Sequence, residues 1–454
     1  MTHIAVVGAG AVGCAIASAL VRAGHRVTLI EARADVGAGT SKANTAIWHT
    51  GFDAKPGTRE AALVARGHRL LDERASEMNW PLERTGAILI AWDADQQGRL
   101  DGIVANARAV GYTAIEPLSV DEVYAAEPHL GPGALGGLLV PDEGLLDPWS
   151  IVVGLATDAV INGATLLRSA PVTKVTGEPG AYVLTTGAGE VHAQWVVNAA
   201  GLSSDAVDRL MGQDGFTITP RRGELIVFDK LARHLVQHVI LPVPSATTKG
   251  VLISPTVYGN VLLGPTADDL EDRQATGTTE LGLTGLLEKG GLILPELLEE
   301  EVTATYAGLR AASEHSDYCF EAFPGHRYIR VGGIRSTGIS SCLAIAEDVV
   351  AQLAESGEIA TPLQEPVTQP MPNLAEDRLR PYADPELIAR DPAYGDVVCL
   401  CERVTLGEVR DSLTSVVPAV DMDGVRRRTR AVAGRCQGFH CGARVTAMME
   451  AYRG

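Results

Sequence analysis

The sequence predicts an α/β protein with a small, separate helical unit at its C-terminus. Three observations predict it. A glycine-rich turn sits between two buried strands at the N-terminus, other strands far along the chain also end in glycine, and four of the seven cysteines fall beyond residue 395.

Ile4-Ala5-Val6-Val7 is an apolar run without polar alternation, the pattern of a strand buried on both faces. Gly8-Ala9-Gly10-Ala11-Val12-Gly13 follows at once, then an alanine-rich helix over 14–23, a second buried strand over 27–30, and Glu31. This is the order of a dinucleotide-binding turn. Gly8 permits the tight turn, Gly10 lets the backbone approach a pyrophosphate, and Gly13 lets the helix pack close on the sheet. The helix N-terminus offers free N–H groups to phosphate, and Glu31 can accept hydrogen bonds from a ribose diol. Further along, helices are predicted at 59–78, 95–110, 119–127 and 148–161, a helical block at 279–300, and a helix at 342–356. Strands are predicted at 87–91, 172–175, 181–186, 195–201, 223–228, 251–256, 261–265 and 328–331. Gly201 and Gly332-Gly333 end strands as Gly8 does, so three distant pieces meet on one edge of a parallel sheet. Prolines at 362, 366, 370, 372, 381, 385 and 392 make 357–395 a surface linker.

A net charge of −18 argues against nucleic acid and anionic membrane surfaces as general partners. No apolar run reaches membrane-spanning length and the chain enters its first strand directly, so a cytoplasmic protein is expected. An odd cysteine count without a secretion signal argues against a disulfide framework.

Several longer stretches carry a family resemblance: Thr40-Ser41-Lys42-Ala43-Asn44-Thr45-Ala46-Ile47-Trp48-His49-Thr50-Gly51-Phe52-Asp53-Ala54-Lys55-Pro56-Gly57-Thr58, Pro220-Arg221-Arg222-Gly223-Glu224, Lys249-Gly250-Val251-Leu252-Ile253-Ser254-Pro255-Thr256, Tyr306-Ala307-Gly308-Leu309-Arg310, and 332–346. The chain resembles the FAD-dependent oxidoreductases related to D-amino-acid oxidase and glycerol-3-phosphate dehydrogenase. Within them it looks most like the iron–sulfur-tailed catalytic subunit of anaerobic-type glycerol-3-phosphate dehydrogenases. The resemblance implies a Rossmann-like FAD-binding domain from 1–80, 142–212 and 320–356, with an inserted α+β substrate domain from 81–141 and 213–319. It implies that Gly8, Gly10, Gly13, Glu31, Arg33, Thr40, Ser41, Val172, Gly201, Gly333 and Gly338 line the FAD.

At the reacting end the resemblance sets His49 beside the flavin, where an imidazole of near-neutral pKa suits removal of a hydroxyl proton as hydride leaves for the flavin. Arg310, expected just after a strand at 303–306, is the candidate clamp for a substrate anion, because a guanidinium fork matches phosphate and carboxylate alike. Lys55, Arg221 and Lys249 are further candidate substrate cations, with Arg222 and Arg335 nearby in the motifs. Asp53 stands where some membrane-type relatives carry a phosphate-holding arginine, leaving Lys55 as its substitute. The expected reaction is oxidation of sn-glycerol 3-phosphate. A 2-hydroxy acid such as 2-hydroxyglutarate, or an amino acid, is the alternative substrate, and an electron-transfer subunit without a substrate of its own is the alternative of another class.

Cys399-Leu400-Cys401 and Cys436-Gln437-Gly438-Phe439-His440-Cys441 form a C-x-C, long gap, C-x4-C arrangement. Four thiols at this spacing fit a soft metal or an iron–sulfur cluster. Zinc is the rival, although its structural sites favour C-x2–4-C pairs, and His440 is an alternative ligand. Thr405 and Glu408 have capping-box spacing, so a helix is expected from there, with a second at 422–432. The whole 396–454 unit resembles the bacterioferritin-associated-ferredoxin type of [2Fe–2S] domain, with Cys399, Cys401, Cys436 and Cys441 as ligands. Arg403, Arg435 and Arg444 are expected to offset cluster charge, and the arginine run 426–430 to be mostly a solvated helix face. Such a tail implies electrons leaving singly to a protein subunit or carrier, through which any membrane contact would be made. Cys14, Cys319 and Cys342 are expected to be buried apolar residues.

Overall fold

The computed structural model describes residues 1–244 and 250–452. Its first sheet has six strands in the order Cys319–Phe323, Tyr328–Gly332, Trp195–Asn198, His3–Val7, Arg26–Ile30, Thr165–Leu167. All neighbours pair in parallel except the Cys319–Phe323 edge. A parallel sheet must be covered on both faces, and the first strand shows how. Ile4 and Val6 pack beneath the helices Ala11–Arg22, Pro148–Ile161 and Gly338–Glu355, among Leu20, Leu155 and Ile345. Ala5 and Val7 pack on the other side against Tyr182, Leu184 and Val191 of a three-stranded antiparallel ribbon. The missing polar alternation in the sequence is this double burial. Cys14 and Cys342 lie within the helical side of the core, and Cys319 is half-buried at the sheet edge.

The glycine turn works by contact. A Cβ on Gly13 would stand 1.8 Å from the Gly8 carbonyl oxygen, and one on Gly8 (φ +104°) 2.4 Å from the Ala199 carbonyl oxygen. The Gly338–Glu355 helix begins one turn earlier than the expected 342, because the Ser341 N–H closes onto the Thr337 carbonyl at 3.0 Å. That turn belongs to the site described below.

A second, nine-stranded sheet draws its strands from 87–140 and 218–313. Its longest pair is Ile218–Phe228 against Val302–Ser313. The strand expected at 303–306 therefore runs on to Ser313, because its partner offers hydrogen bonds along its whole length. Arg310 lies within the strand rather than after it, directly opposite Arg221. Gly308 does not break the strand; its missing Cβ admits the Ala43 carbonyl, which would otherwise stand 2.0 Å away. A small sheet of Ile47–Trp48, Gly144–Leu146 and Leu82–Glu83 lies beside the first.

The proline-rich stretch departs from a surface linker. Ile359, Leu363 and Val367 are exposed as expected, but Met371, Leu374, Ala375 and Arg380 are buried. Apolar side chains between the prolines drop into the neighbouring cores, and the Asn79 amide ties down the Met371 carbonyl at 2.8 Å. Pro385–Arg390 forms a short helix capped by Asp384.

The tail has its own apolar core around Val404, Val409, Val425 and Val445. The Thr405–Glu408 capping box forms, opening the helix Leu406–Thr414. The second helix, Met422–Thr429, ends before the expected 432 because Arg430 turns left-handed at φ +69°. The arginine run corrects the sequence reading. Arg427, Arg428 and Arg430 are only 3%, 7% and 3% exposed, and each meets a buried carboxylate: Asp35 for the first two, Glu402 for the third. Only Arg426, paired with Asp423 on its own helix, keeps the local role expected of the run. Arg403 and Arg444 likewise serve carboxylates, Glu376 and Asp396. Among the described residues no helix is long and apolar enough to cross a membrane.

Gly13→Ala must force the first helix off the sheet. It is expected to cost about 2–3 kcal/mol, read as a lowered thermal unfolding midpoint, whereas Gly57→Ala, with no atom within 4 Å of the new methyl, strains only its own turn at φ +78°.

Candidate active site and cysteine centre

A cavity of about 750 Å3 opens along the carboxyl ends of the first sheet and extends to the second. Gly8, Gly10, Glu31, Arg33, Thr40, Ser41, Val172, Gly201, Gly333 and Gly338 all line it. Gly13 lies behind the wall, doing the packing described above. The Glu31 carboxylate accepts the Ala9 and Arg33 N–H groups, each at 2.8 Å. Burial pushes its pKa up, against the pull of those N–H groups.

Two helices start at this cavity without a side-chain cap, Ala11–Arg22 and Gly338–Glu355. Their N-terminal turns present partial positive charge to whatever fills the space. Gly10 leaves room next to them: its missing Cβ would meet only Ser41 Oγ, at 3.1 Å, and Gly201 has no atom within 4 Å of that position. Two uncapped helix ends, an acid for a ribose and open space over glycine backbone fit a dinucleotide.

At the other end of the cavity, the small sheet positions the reacting groups. Its register pairs Trp48 with Gly144, and one step further sets His49 against Glu143. His49 Nδ1 and Glu143 Oε1 are 2.8 Å apart. The same oxygen accepts the Thr50 N–H and Thr50 hydroxyl, both at 2.7 Å. His49 Nε2 faces Asp53 Oδ1 at 3.0 Å. Burial by itself would lower the His49 pKa, but the carboxylates of Glu143 and Asp53 outweigh it and push it up to about 10. The two carboxylates thus favour the imidazolium over the near-neutral imidazole expected from sequence. Glu143 was missed by sequence reasoning. Its signal was the acidic pair Asp142-Glu143 between the apolar runs 137–140 and 144–146.

Arg310 lines the cavity, half-buried, and donates from Nη1 to the Thr266 carbonyl at 3.3 Å. No ion pair is found for it among the described residues. Burial, and then the facing Arg221, lower its pKa. Gly223 makes its space, since a Cβ there would stand 2.7 Å from Arg310 Nη2. Arg221 also lines the cavity but is forked onto Asp269 at 2.6 and 2.8 Å. Arg222 is turned to Glu224. Arg335 reaches the cavity rim and donates to the Ser316 carbonyl. Lys55 is exposed and does not line the cavity, and Lys249 lies outside the described residues.

In the tail, Cys401 interacts with Cys436, and Cys441 with Cys399. Backbone N–H groups of His440, Gly438 and Phe439 point at the Cys436 sulfur and lower its pKa. Burial pushes Cys441 up to about 11. The loops bend hard to do this: Arg403, Val432 and Gln437 all have positive φ, which is strained above all for the β-branched Val432. Arg435, paired with Asp229, also feels the Cys401 sulfur. Among the described residues, no three His, Cys, Asp or Glu side chains converge on a single metal-ion point; the thiols meet in pairs. Four thiols with N–H groups aimed at sulfur fit an iron–sulfur cluster.

Comparison with known proteins agrees with both sites. Residues 3–353 match the family of FAD dependent oxidoreductases, and 397–451 match the BFD-like [2Fe-2S] binding domain. A glycerol 3-phosphate dehydrogenase of Caloramator mitchellensis is 35% identical over 98% of this chain and 93% of its own length. The anaerobic glycerol-3-phosphate dehydrogenase subunit A1 of Haloferax volcanii is 26% identical over 96% of this chain and 81% of its own. Among solved structures, the L-α-glycerophosphate oxidase of Mycoplasma pneumoniae with FAD bound superposes with a TM-score of 0.75, at 25% identity, over 82% of this chain and all of the other. With a dinucleotide cavity at one end of the chain and paired thiols at the other, this protein belongs to the FAD-dependent oxidoreductases, as a glycerol-3-phosphate dehydrogenase-like flavoprotein that carries a [2Fe–2S] domain.

Proposed function

We propose that the protein oxidises the secondary alcohol of sn-glycerol 3-phosphate by hydride transfer to FAD and sends the electrons, one at a time, through its [2Fe–2S] domain to a protein acceptor. The observation that carries this reading is Arg310, a half-buried guanidinium with no carboxylate paired to it among the described residues, in the same cavity as His49, Glu143 and Asp53. A cation largely withdrawn from water and left without a carboxylate calls for an anion. Phosphate takes its fork in two hydrogen bonds, and the relatives named for glycerol 3-phosphate give the substrate its name.

Bound FAD supplies a two-electron hydride acceptor and the cluster a one-electron outlet. The chain's own residues do the rest. Arg310 holds the phosphate, with the facing Arg221 strengthening the field. His49 Nε2 takes the hydroxyl proton, once its own has been lost. Glu143 fixes the imidazole by accepting from Nδ1 and stabilises the cation that forms. Side chains this well placed in the cavity argue against an electron-transfer subunit without its own substrate.

The deciding experiment is an anaerobic visible spectrum of the purified protein. Glycerol 3-phosphate is expected to bleach the flavin. Bleaching by 2-hydroxyglutarate or an amino acid instead overturns the substrate, and no bleaching by any of them overturns the enzyme reading. Arg310→Gln is expected to raise the glycerol 3-phosphate concentration for half-maximal bleaching by roughly 10–100-fold, the worth of a charged hydrogen-bond pair.

The pH profile follows from the His49 pKa of about 10. The base form grows as pH rises, so the bleaching rate at saturating substrate is expected to climb through the alkaline range. Asp53→Asn removes one carboxylate from Nε2 and is expected to move that climb to lower pH. A rate flat between about pH 7 and 10 would remove His49 as the base.

Cys436→Ser is expected to abolish the paramagnetic signal of the reduced cluster after substrate addition, while flavin bleaching stays within about twofold of wild type. Loss of both together would mean that the cluster does not lie downstream of the flavin.

A further inference from the structure

The loop between Glu31 and Ser41 has two working faces. One lines the dinucleotide cavity. Gly37 N–H bonds the Ala9 carbonyl at 2.8 Å, and Ser41 Oγ takes the Ala11 N–H at 3.0 Å, so the loop is closed over the glycine turn and the first helix end. The other face is Asp35, which does not line the cavity and is fully buried. Its carboxylate receives Arg427 Nη2 at 2.7 Å and Arg428 Nη1 and Nη2 at 2.7 and 2.9 Å, with Arg168 at 3.7 Å. Both close arginines come from the cysteine-bearing tail. A second contact leads to the same wall. Arg430 lies 3.9 Å from the Tyr258 ring centroid, Tyr258 stacks on Trp149 at 5.4 Å, and Trp149 Nε1–H bonds the Lys42 carbonyl at 3.1 Å.

We propose that Arg427 and Arg428 are positioning residues for FAD: by clasping Asp35 they hold the 31–41 loop in its cofactor-binding shape, so that flavin retention and docking of the [2Fe–2S] domain are coupled. A buried carboxylate stripped of its cations must reach water or take a proton, and either moves the loop that carries it. Coupling of this kind is reciprocal, so bound FAD also holds the tail in place. The flavin is then held tightly only in a chain whose electron outlet is docked.

The test uses full-length holoenzyme. FAD release on dilution is followed by the fluorescence of the freed flavin, and iron and sulfide are measured alongside. Arg427→Gln/Arg428→Gln is expected to weaken FAD binding by about tenfold or more with cluster content unchanged, while Arg427→Lys/Arg428→Lys, which keeps the charges, recovers most of it. Arg444→Gln, whose partner Asp396 lies within the tail, is the control and is expected to match wild type. Where the double variant fails to fold, Asp35→Asn asks the same question from the other side. Proteolysis gives a readout that mere destabilisation would not move: FAD is expected to slow cleavage between 357 and 395 in the wild type, and not in Asp35→Asn. FAD affinity of Asp35→Asn within about twofold of wild type, equal loosening in Arg444→Gln, or FAD protection that survives in Asp35→Asn would each overturn the proposal.

Discussion

Backbone can lie against backbone only where no Cβ intervenes, and the cavity depends on three such contacts. Gly13 on the Gly8 carbonyl seats the first helix against the sheet, and Gly8 on the Ala199 carbonyl joins the first strand to the piece of the cavity wall that ends at Gly201. Gly308 under the Ala43 carbonyl brings the second sheet up against the small-residue segment that leads to His49. The first two contacts bring a helix N-terminus to the cofactor space; the third makes the cofactor wall and the substrate wall one continuous surface. The Tyr306 hydroxyl, on the Asn44 carbonyl at 2.6 Å, fastens the same seam. A methyl at any of the three would overlap a carbonyl, and the elements would part by more than a hydrogen bond spans.

The substrate end is a matter of charge rather than shape. One imidazole stands between two carboxylates, so the group loses a proton only at the cost of leaving two acids facing one neutral ring. Arg310 offsets this. Its positive charge lies in the same cavity and is itself depressed by burial and by Arg221, so it favours any added anion. Under the proposed reaction the anion and the proton go to different parts of the cavity, the phosphate to the long strand pair and the hydroxyl to the small sheet. Glu143 Oε2 is buried without a hydrogen-bond partner among the described residues, so Glu143 is held by one oxygen only, the one that also fixes His49.

The sequence disclosed the parts whose chemistry is local. The glycine turn, its flanking strands and Glu31 are consecutive, and so are the members of each cysteine pair. It concealed what register and tertiary pairing decide. Glu143 meets His49 across 94 positions because two short strands pair, and nothing near either residue announces it. Arg310 was placed after a strand ending at 306, when the partner strand Ile218–Phe228 carries the pairing on through Gly308 to Ser313. The arginine run was the largest misreading. Charged residues on a short helix ordinarily face water, and these do not, because Asp35 lies nearly four hundred positions earlier. The buried Met371 and Leu374 escaped for the opposite reason: prolines set the local pattern, and apolar residues between them were too few to show a period.

Buried arginine–carboxylate forks are an expensive way to attach a domain, since leucines would serve as well for stability alone. Their value lies in what they penalise. Two apolar faces can slide or rotate with small loss, whereas a tail docked one turn out of place would leave Asp35, Glu402 and their arginines buried and unpaired. Long-range attraction helps the first encounter, because an arginine-rich tail approaches the acidic remainder of a chain whose net charge as a whole is −18. The short-range forks then select one arrangement. Glu402 adjoins Cys401, and Asp35 is four residues from Glu31, so the arrangement selected is the one that fixes the cysteine centre against the dinucleotide cavity. If electrons pass between the two, as proposed, their separation cannot be left to a flexible connection, and the clasped carboxylates remove that freedom.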